Sequence, residues 1–378
     1  MASLLEKIKP ASKGQEELVR ALTSDEYEII GVFGPTGTGK SLLSCAYGIG
    51  SVMDGKYDRF ILARPIVDVV TGRELTAVEL GDLYYELVIS YLRDIFSGIV
   101  DFSEIKSLVD KGKLVIADSH FLRGRTFDRS VIFLDDAQNI PPESACEILM
   151  RIGHNSKFIV AGDPVFQKDV PLEKDGASVL REVLMGERRA KVVDLGFKDV
   201  VRPGALRGIR LLIEIRMRKR KLDEKEQKVF DTIKAHAPDA DVLTVLDLTE
   251  DKKKFELKSE HVPDALVIAK AGYLGRVIGR GGERIQAVEK ELNMRLRCIE
   301  MDLNFIDLIG AIHPVPWVVN HIVDVDIAGP QLQVVIRRRG MGAFIGQRAI
   351  HVRFVDSVFR RLMGIGIRVK EYEGERRR

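Results

Sequence analysis

Short apolar runs alternate with helical patterns through the first half of the chain. Continuous apolar stretches predict buried strands at residues 28–33, 60–63, 113–117, 131–134 and 158–161, with a weaker candidate at 191–195. Strands that are apolar on both faces are typical of a parallel sheet covered by helices on either side. The pattern therefore predicts an α/β domain with helices on both faces of a parallel sheet.

The second half of the chain has a different pattern, which combines a charged helix with a weak internal repeat. Residues 211–235 have a helical pattern without Gly or Pro, which predicts a connecting helix. A strand, a short helix, a Gly-rich turn, a helix and a strand follow over residues 265–300 and recur over 331–370. This repeat predicts two small α+β domains. We place the domain boundaries at residues 1–210, 211–260, 261–316 and 317–378.

The composition is globular, with 45% hydrophobic and 30% charged residues. No apolar run approaches the roughly 20 residues of a membrane helix, and the first ten residues lack the apolar core of a signal peptide. We therefore expect a cytoplasmic protein with no membrane partner. Cys45, Cys146 and Cys298 do not have the paired spacing of a disulfide framework or a zinc site.

Positive charge gathers in the second half although the net charge is only +3. The basic runs occupy residues 216–221, 252–254, 337–339 and 376–378. Such runs are often solvated helix faces, and that alternative stays open for each of them. Their grouping in one half of the chain favours a polyanionic partner.

One loop carries a complete phosphate-binding motif between a predicted strand and a predicted helix at residues 42–53. The motif G-x-x-x-x-G-K-S is matched in full by Gly34, Pro35, Thr36, Gly37, Thr38, Gly39, Lys40 and Ser41. Glycines let successive amides turn toward phosphate oxygens, and the following helix N-terminus adds positive charge. Lys40 can reach the terminal phosphates, and the Ser41 hydroxyl can ligate Mg²⁺. The loop predicts a bound nucleoside triphosphate, ATP, together with Mg²⁺.

Polar side chains follow two further predicted strands. The strand at residues 131–134 ends in Asp135 and Asp136, and ligands bind at the carboxyl ends of parallel strands. We expect Asp135 to hold the magnesium ion and Asp136 to polarise the attacking water. Gln167 follows the strand at 158–161 and could bind the γ-phosphate or the water.

The order and spacing of these motifs resemble the PhoH family, a branch of P-loop ATPases similar to superfamily 1 helicases. The resemblance covers roughly residues 10–210. Besides the phosphate loop, it rests on Arg64-Pro65, Arg123-Gly124-Arg125-Thr126-Phe127, Leu134-Asp135-Asp136-Ala137-Gln138-Asn139, Arg151-Ile152-Gly153, Gly162-Asp163-Pro164-Val165-Phe166-Gln167 and Asp199-Val200-Val201-Arg202.

The resemblance implies a role for several single residues. Gln15 stands where helicase-like relatives read the adenine, and Gln167 matches the γ-phosphate sensor. Asp135 matches the magnesium aspartate, whereas Asp136 stands where the family usually has glutamate, so its reach is one methylene shorter. Arg202 resembles the arginine that stabilises transition-state charge.

The resemblance also implies a homo-oligomer, because the family is thought to form rings such as hexamers. Arg123, Arg125 or Arg151 could then act across a subunit boundary, and a surface salt bridge is the alternative for each of them.

The repeated unit in the second half resembles a KH domain, in which a G-x-x-G loop between two helices approaches a nucleic-acid backbone. In the first copy the loop is Gly279, Arg280, Gly281 and Gly282, flanked by Arg276 and Arg284. The second copy, Gly346, Gln347, Arg348 and Ala349, departs from the pattern because it ends in Ala. The resemblance implies single-stranded RNA as the partner, and it alone favours RNA over DNA.

Two functional hypotheses follow. The first is an RNA-stimulated ATPase, either a helicase or an RNA-remodelling ring. The second is a nucleotide-gated RNA-binding regulator with little turnover, which the aspartate at position 136 favours. A small-molecule kinase would share the phosphate loop but would leave the KH-like repeat unexplained.

Overall fold

The computed structural model describes residues 4–68, 70–118, 125–167 and 175–374. The chain divides into two compact units, the first comprising Met1–Ala205 with Ile327–Pro330 and the second Leu206–Asp326 with Gln331–Arg378. Arg123 and the basic run at 376–378 lie outside the described residues.

The first unit contains a six-stranded sheet in which every pairing between neighbours is parallel. In spatial order the strands are β5 (Leu114–Ala117), β2 (Arg59–Ala63), β6 (Ser130–Leu134), β7 (Lys157–Gly162), β1 (Ile29–Phe33) and β8 (Ala190–Asp194). The sheet confirms all six predicted strands, including the weaker one. A separate antiparallel pair consists of β3 (Ile66–Val67) and β4 (Glu74–Leu75).

Helices cover both faces of this sheet, as predicted for strands that are apolar throughout. They are α1 (Lys13–Thr23), α2 (Lys40–Met53), α3 (Ala77–Leu80), α4 (Asp82–Ile95), α5 (Phe102–Asp110), α6 (Pro142–Leu149) and α7 (Gly176–Leu184). One hydrophobic cluster joins the sheet to α1, α2, α4 and α5, and the other joins it to α6 and α7. Cys45 is buried in the first cluster, where burial raises the pKa of its thiol.

The second unit contains two small mixed sheets. The helix α8 (Pro203–Lys219) precedes them in the chain. The elements of the first module are α9 (Glu224–His236), β9 (Val242–Asp247), α10 (Thr249–Lys254), β10 (Ala265–Ala269), α11 (Leu274–Ile278), α12 (Glu283–Leu292) and β11 (Leu296–Glu300). The strand β10 pairs antiparallel with β9 and parallel with β11.

Residues 224–247 are structured parts of the first module, which differs from the connector expected over 211–260. The helix α9 packs on α12, and β9 forms one edge of the three-stranded sheet. The helix α9 overlaps the charged stretch without Gly or Pro at residues 211–235, and β9 follows that stretch. Burial on one face of α9, at Val229 and Ile233, joins this charged helix to the module's core.

The elements of the second module follow the same order as those of the first, except that no helix corresponds to α10 in the described residues between its first two strands. They are α13 (Phe305–Ile312), β12 (Ile322–Ala328), β13 (Gln331–Ile336), α14 (Arg338–Ile345), α15 (Ile350–Met363) and β14 (Gly366–Glu371). The strands β13 and β14 are parallel and adjacent. The duplicated strand–helix–turn–helix–strand unit is therefore present in both copies. None of the helices in the described part of the chain is long and apolar enough to cross a membrane.

Candidate functional site

The loop from Gly34 to Ser41 joins β1 to α2, and its glycines satisfy specific backbone requirements. Gly37 and Gly39 have φ angles of 83° and 84°, in the left-handed region that glycine enters without a steric penalty. A Cβ atom at Gly34 would lie 2.3 Å from the carbonyl oxygen of Leu195. The amide of Gly34 also donates to the carbonyl of Gly162 at 3.0 Å. The loop is thus fixed against the ends of the neighbouring strands β7 and β8.

Lys40 is directed into the loop that precedes it. Its Nζ donates to the carbonyl oxygens of Gly34 at 2.7 Å and Pro35 at 2.8 Å. The side chain is buried, and burial lowers the pKa of Lys40, while the carboxylates of Asp163 and Asp136 oppose that shift. A phosphate oxygen can compete with these carbonyls for the ammonium, so the lysine is placed to bind a phosphate held by the loop.

The Ser41 hydroxyl and the Asp135 carboxylate meet at the end of the sheet. Ser41 Oγ donates to Asp135 Oδ1 at 3.0 Å, and Asp135 is only 1% exposed. Among the described residues, no group of three or more His, Cys, Asp or Glu could hold a metal ion on its own. A hydroxyl beside a carboxylate is nevertheless a donor set that fits Mg²⁺, since that ion prefers oxygen and takes waters and substrate phosphates as its other ligands.

Asp136, Gln138 and Gln167 form a chain of hydrogen bonds beside Asp135. Gln138 Nε2 donates to Asp136 Oδ1 at 3.2 Å and to Gln167 Oε1 at 2.6 Å. Gln138 Oε1 accepts from the amide of Asp163 at 3.0 Å, so one side chain links the loops after β6 and β7. Burial and then the neighbouring Asp135 raise the pKa of Asp136. A raised pKa suits a carboxylate that accepts a proton from water.

These side chains surround a cavity of about 320 Å³. Its described lining residues are Thr36, Gly37, Gly39, Lys40, Ser41, Leu42, Arg64, Tyr91, Asp94, Ile95, Asp136, Gln167, Val201 and Arg202. The structure therefore brings Lys40, Asp136, Gln167 and Arg202 together around one space, as the sequence motifs predict. Arg64 and Arg202 are the arginines in this part of the lining.

Gln15 lies against the phosphate loop instead of in the cavity lining. Its Nε2 donates to the carbonyl of Thr38 at 3.0 Å, and its Oε1 accepts from the amide of Ala11 at 2.8 Å. The preceding Gly14 donates its amide to Asp199 Oδ1 at 3.1 Å. The Gln15 amide thus holds the phosphate loop through the carbonyl of Thr38. Its role in reading adenine stays a prediction.

Comparison with known families identifies this unit. The family described as "PhoH-like protein" matches residues 7–214, which is more than half of the chain. The chain belongs to the PhoH-like protein family. A second family, described as "KH domain", matches residues 243–310. This match begins within β9. The family comparison and the structure therefore both include β9 in the first module.

Several bacterial proteins are similar to the PhoH-like part of the chain. A PhoH-like protein of Bacillus subtilis is 35% identical over 199 residues, which are 52% of this chain and 60% of that protein. A PhoH-like protein of Synechocystis is 32% identical over 50% of this chain and 56% of the relative. The chain thus spans less than two thirds of the length of these relatives.

Two solved structures resemble the chain only weakly. The large terminase of the thermophilic bacteriophage D6E has a TM-score of 0.35 at 12% identity, covering 56% of this chain and 51% of the terminase. The Pif1 helicase of Candida albicans has a TM-score of 0.26 at 15% identity, covering 69% of this chain and 64% of the helicase.

Arg125 and Arg151 are not among the described residues that line the cavity. The Arg125 guanidinium stacks over the Phe127 ring at 4.9 Å, and Arg151 Nε donates to the carbonyl of Glu147 at 3.0 Å. Both arginines contact residues that are near to them in the chain. Their action across a subunit boundary stays a prediction.

Three residues of the PhoH-like site received no individual role from the sequence. Arg64 and Gln138 lie within motifs of the family, but their side-chain directions depend on the sheet order. Tyr91 lies on α4, and its hydroxyl donates to Asp135 Oδ2 at 2.5 Å. The sequence does not predict this contact, because a tyrosine that donates to Asp135 and one that only packs in an amphipathic helix look the same along the chain.

The two helix–helix turns of the second unit, at residues 279–282 and 346–349, share one backbone conformation. Gly279, Gly281 and Gly282 have φ angles of 78°, 63° and 86° in the first turn. Their counterparts Gly346, Arg348 and Ala349 have φ angles of 71°, 50° and 60°. The second turn therefore keeps the shape of the first, although Arg348 and Ala349 carry a Cβ atom where the first turn has glycine.

The arginines of the first KH turn differ in their availability. Arg280 is exposed. Arg284 Nη1 donates to Asp239 Oδ1 at 2.5 Å and to the carbonyl of Arg276 at 2.8 Å. Arg276 stacks over the Tyr273 ring at 4.6 Å. A phosphate would compete with Asp239 for Arg284, whereas it could approach Arg280 directly.

Proposed function

We propose that the chain is a Mg²⁺-dependent ATPase whose hydrolysis is coupled to binding single-stranded RNA. The observation that carries the proposal is the contact of Ser41 Oγ with Asp135 Oδ1 at 3.0 Å, directly after the phosphate loop. It brings together the hydroxyl and the carboxylate that a Mg²⁺–triphosphate complex requires. The phosphate loop, Lys40 and Ser41 bind the ATP phosphates in this proposal, and Ser41 and Asp135 hold the metal.

In this proposal the hydrolysis step itself depends on three further residues, which are Asp136, Gln167 and Arg202. Asp136 accepts the proton of the attacking water, and its raised pKa supports that role. Gln138 fixes both Asp136 and Gln167, so that Gln167 can orient the water or the γ-phosphate. Arg202 lines the cavity and stabilises the negative charge that develops on the phosphate oxygens. Bound Mg²⁺ supplies further neutralisation of that charge.

The RNA part of the proposal is supported by the KH domain match and by the exposed Arg280 in the first turn. RNA helicase or RNA-remodelling activity belongs to the same proposal. A homo-oligomeric ring is also proposed, on the family resemblance, with light scattering as its test. A mass near the monomer value of 42.4 kDa with ATP bound would count against the ring. We also propose a cytoplasmic location, where both ATP and RNA occur.

The test of the ATPase is steady-state phosphate release with and without single-stranded RNA. We expect Lys40→Ala to abolish release, whereas Lys56→Ala, which removes an exposed partner of Asp25, should leave it unchanged. Full activity of Lys40→Ala would defeat the enzyme proposal. A single-stranded DNA of the same sequence, titrated at matched salt, tests the preference for RNA, which equal affinities would contradict.

A nucleotide-gated RNA-binding regulator with little turnover is the second candidate. It is favoured by the ion pair between Asp136 Oδ2 and Arg64 Nη2 at 2.6 Å, which engages the carboxylate proposed as the base. RNA affinity that changes with ATP, without measurable phosphate release, would support this candidate over the first.

A further inference from the structure

Arg64 makes a set of contacts that the proposed ATPase mechanism does not use. It follows β2, and its Nη1 lies 2.5 Å from Asp135 Oδ2 while its Nη2 lies 2.6 Å from Asp136 Oδ2. One guanidinium therefore bridges two adjacent carboxylates. Such a fork of N–H donors fixes both its own plane and the carboxylates that it contacts.

The guanidinium is held in place by aromatic residues of α4. Its Cζ lies 3.7 Å from the centre of the Tyr91 ring, and the Tyr91 hydroxyl donates to the same Asp135 Oδ2. The Tyr84 hydroxyl donates to the carbonyl of Arg64 at 3.0 Å, which fixes the backbone of that residue. The side chain of Arg64 is 24% exposed. These contacts hold the Arg64 side chain in one position, unlike a surface arginine that is free to move.

The two oxygens of Asp135 have different partners. Oδ1 accepts from Ser41, while Oδ2 accepts from Arg64 and Tyr91. A divalent cation at the Ser41–Asp135 pair would place two positive charges close to the guanidinium. Like charges repel strongly where the surroundings are buried, as they are at Asp135.

We propose that Arg64 is the built-in counter-cation of this acidic pair: it positions Asp135 and Asp136 and competes with the divalent metal for them. The inference rests on the proposed function, because it concerns the same metal site. Arg64 is a positioning residue in this scheme, because it acts through the carboxylates of Asp135 and Asp136. A purely structural arginine would weaken metal binding when removed, whereas a competing cation strengthens it.

The test is binding of Mn²⁺ alone to the full chain without nucleotide, measured by electron paramagnetic resonance of the free ion. Because charge-assisted contacts are strong, we expect Arg64→Gln to bind Mn²⁺ about tenfold more tightly than the wild type. Tyr91→Phe keeps the ring and removes one donor to Asp135, so its affinity should rise by a smaller factor. Equal or weaker Mn²⁺ binding by Arg64→Gln overturns the inference.

The matched control is Arg59→Gln, at the opposite end of β2. It removes the same charge but should leave the Mn²⁺ affinity unchanged, and a similar gain in this variant would overturn the inference by revealing a general charge effect. Arg64→Met, which also removes the charge, replaces Arg64→Gln if the latter does not fold, and it should likewise bind Mn²⁺ more tightly. Unchanged or weaker binding by the methionine variant also overturns the inference.

A second measurement separates this inference from the proposed function. The Mg²⁺ concentration for half-maximal binding of a fluorescent ADP should be lower for Arg64→Gln than for the wild type. A wild type that binds no nucleotide defeats the proposed function but leaves the Mn²⁺ comparison valid. A wild type that hydrolyses ATP, with an Arg64→Gln midpoint equal to or above its own, defeats the inference alone.

Discussion

At the scale of single residues, two departures from the expected motifs fall at positions with a left-handed backbone. Asp136 has a φ angle of 52°, in the left-handed region. Aspartate enters this region more readily than glutamate does, because its short side chain can bond locally. The shorter acid at this position therefore agrees with its backbone. Ala349 has a φ angle of 60° in a turn whose counterpart in the first copy is glycine.

The role of Asp136 can be tested by removing its charge. Asp136→Asn keeps the shape and the contact with Gln138, but it cannot accept a proton from water. We expect ATP hydrolysis to fall by about 100-fold or more, while fluorescent ADP binds within a few-fold of the wild type. Rate and affinity are measured on the same preparation. A variant that hydrolyses ATP at the wild-type rate would show that Asp136 is not the base.

The strain at Ala349 can be tested by restoring glycine. Ala349→Gly should stabilise the second unit by about 0.5 to 1 kcal/mol, because a left-handed alanine is penalised more than the added chain entropy of glycine. Urea unfolding followed by the fluorescence of Trp317, the single tryptophan, gives the free energy. The matched control Ala343→Gly lies within α14 and should instead destabilise the unit by about 1 kcal/mol. Destabilisation by both variants contradicts the strain argument.

At the scale of elements, a buried group of charges ties α9 to α15 within the second unit. Glu226 is 1% exposed, and its Oε1 lies 3.0 Å from Arg361 Nη2 while its Oε2 lies 2.9 Å from Arg220 Nη2. Arg361 also reaches Asp251 at 2.5 Å. The amide of Asp247 donates to Glu226 Oε1 at 3.1 Å. Elements from both modules are thus joined by one network.

Neutralising the centre of this network should be strongly destabilising. Glu226→Gln leaves the Arg220 and Arg361 side chains without their shared carboxylate, so we expect a loss of about 3 kcal/mol in the free energy of unfolding. Trp317 fluorescence in urea measures the change. Glu250→Gln is the control, because the ion pairs of Glu250 with Lys225 and Lys253 are exposed, and it should change stability by at most about 0.5 kcal/mol. Equal losses in both variants would refute the network's importance.

Buried His313 makes the second unit sensitive to acid. Val315 donates its amide to Nδ1 at 3.0 Å, and Nε2 lies 3.2 Å from the carbonyl oxygen of Phe344. Burial lowers the pKa of His313 from 6.5 to about 4. Between these values the unfolded chain binds a proton that the folded chain does not. Stability is therefore highest above pH 6.5 and falls as the pH drops toward 4, by up to roughly 3 kcal/mol.

The measurement is urea unfolding at several pH values between 7 and 4. His313→Gln lowers stability throughout but should show a smaller dependence on pH, whereas His236→Gln, on the exposed pair with Glu291, should keep the wild-type dependence. An unaltered pH dependence in His313→Gln would exclude this histidine as the cause.

At the scale of the whole molecule, the proposed coupling predicts that RNA binding can be removed without harming the ATPase site. Arg280→Glu reverses an exposed charge in the first KH turn, so we expect weaker RNA binding, a shallower salt dependence and little RNA stimulation, with basal phosphate release unchanged. Lys290→Glu, an exposed residue at the other end of α12, is the matched control. Loss of basal release in Arg280→Glu, or equal loss of RNA affinity in the control, would contradict this assignment.

The sequence determined the parts of this protein that depend on local order along the chain. Six apolar runs became the six strands of the parallel sheet, because strands covered on both faces must be apolar throughout. The phosphate loop could also be predicted from the sequence. Its glycines and Lys40 lie in one short stretch of chain, and they shape and line the same loop. The duplicated turn was also visible, because glycine occupies the three left-handed positions of its first copy and the surrounding pattern of elements recurs.

Only the tertiary structure decided which distant side chains meet. Arg64 and Asp135 are far apart in the chain, and they touch because β2 and β6 are neighbours in the sheet. The strand β9 belongs to the first KH sheet because it pairs with β10, which its own short apolar run does not reveal. Local patterns record burial and backbone shape, whereas partners across a sheet depend on strand order, which no local pattern encodes.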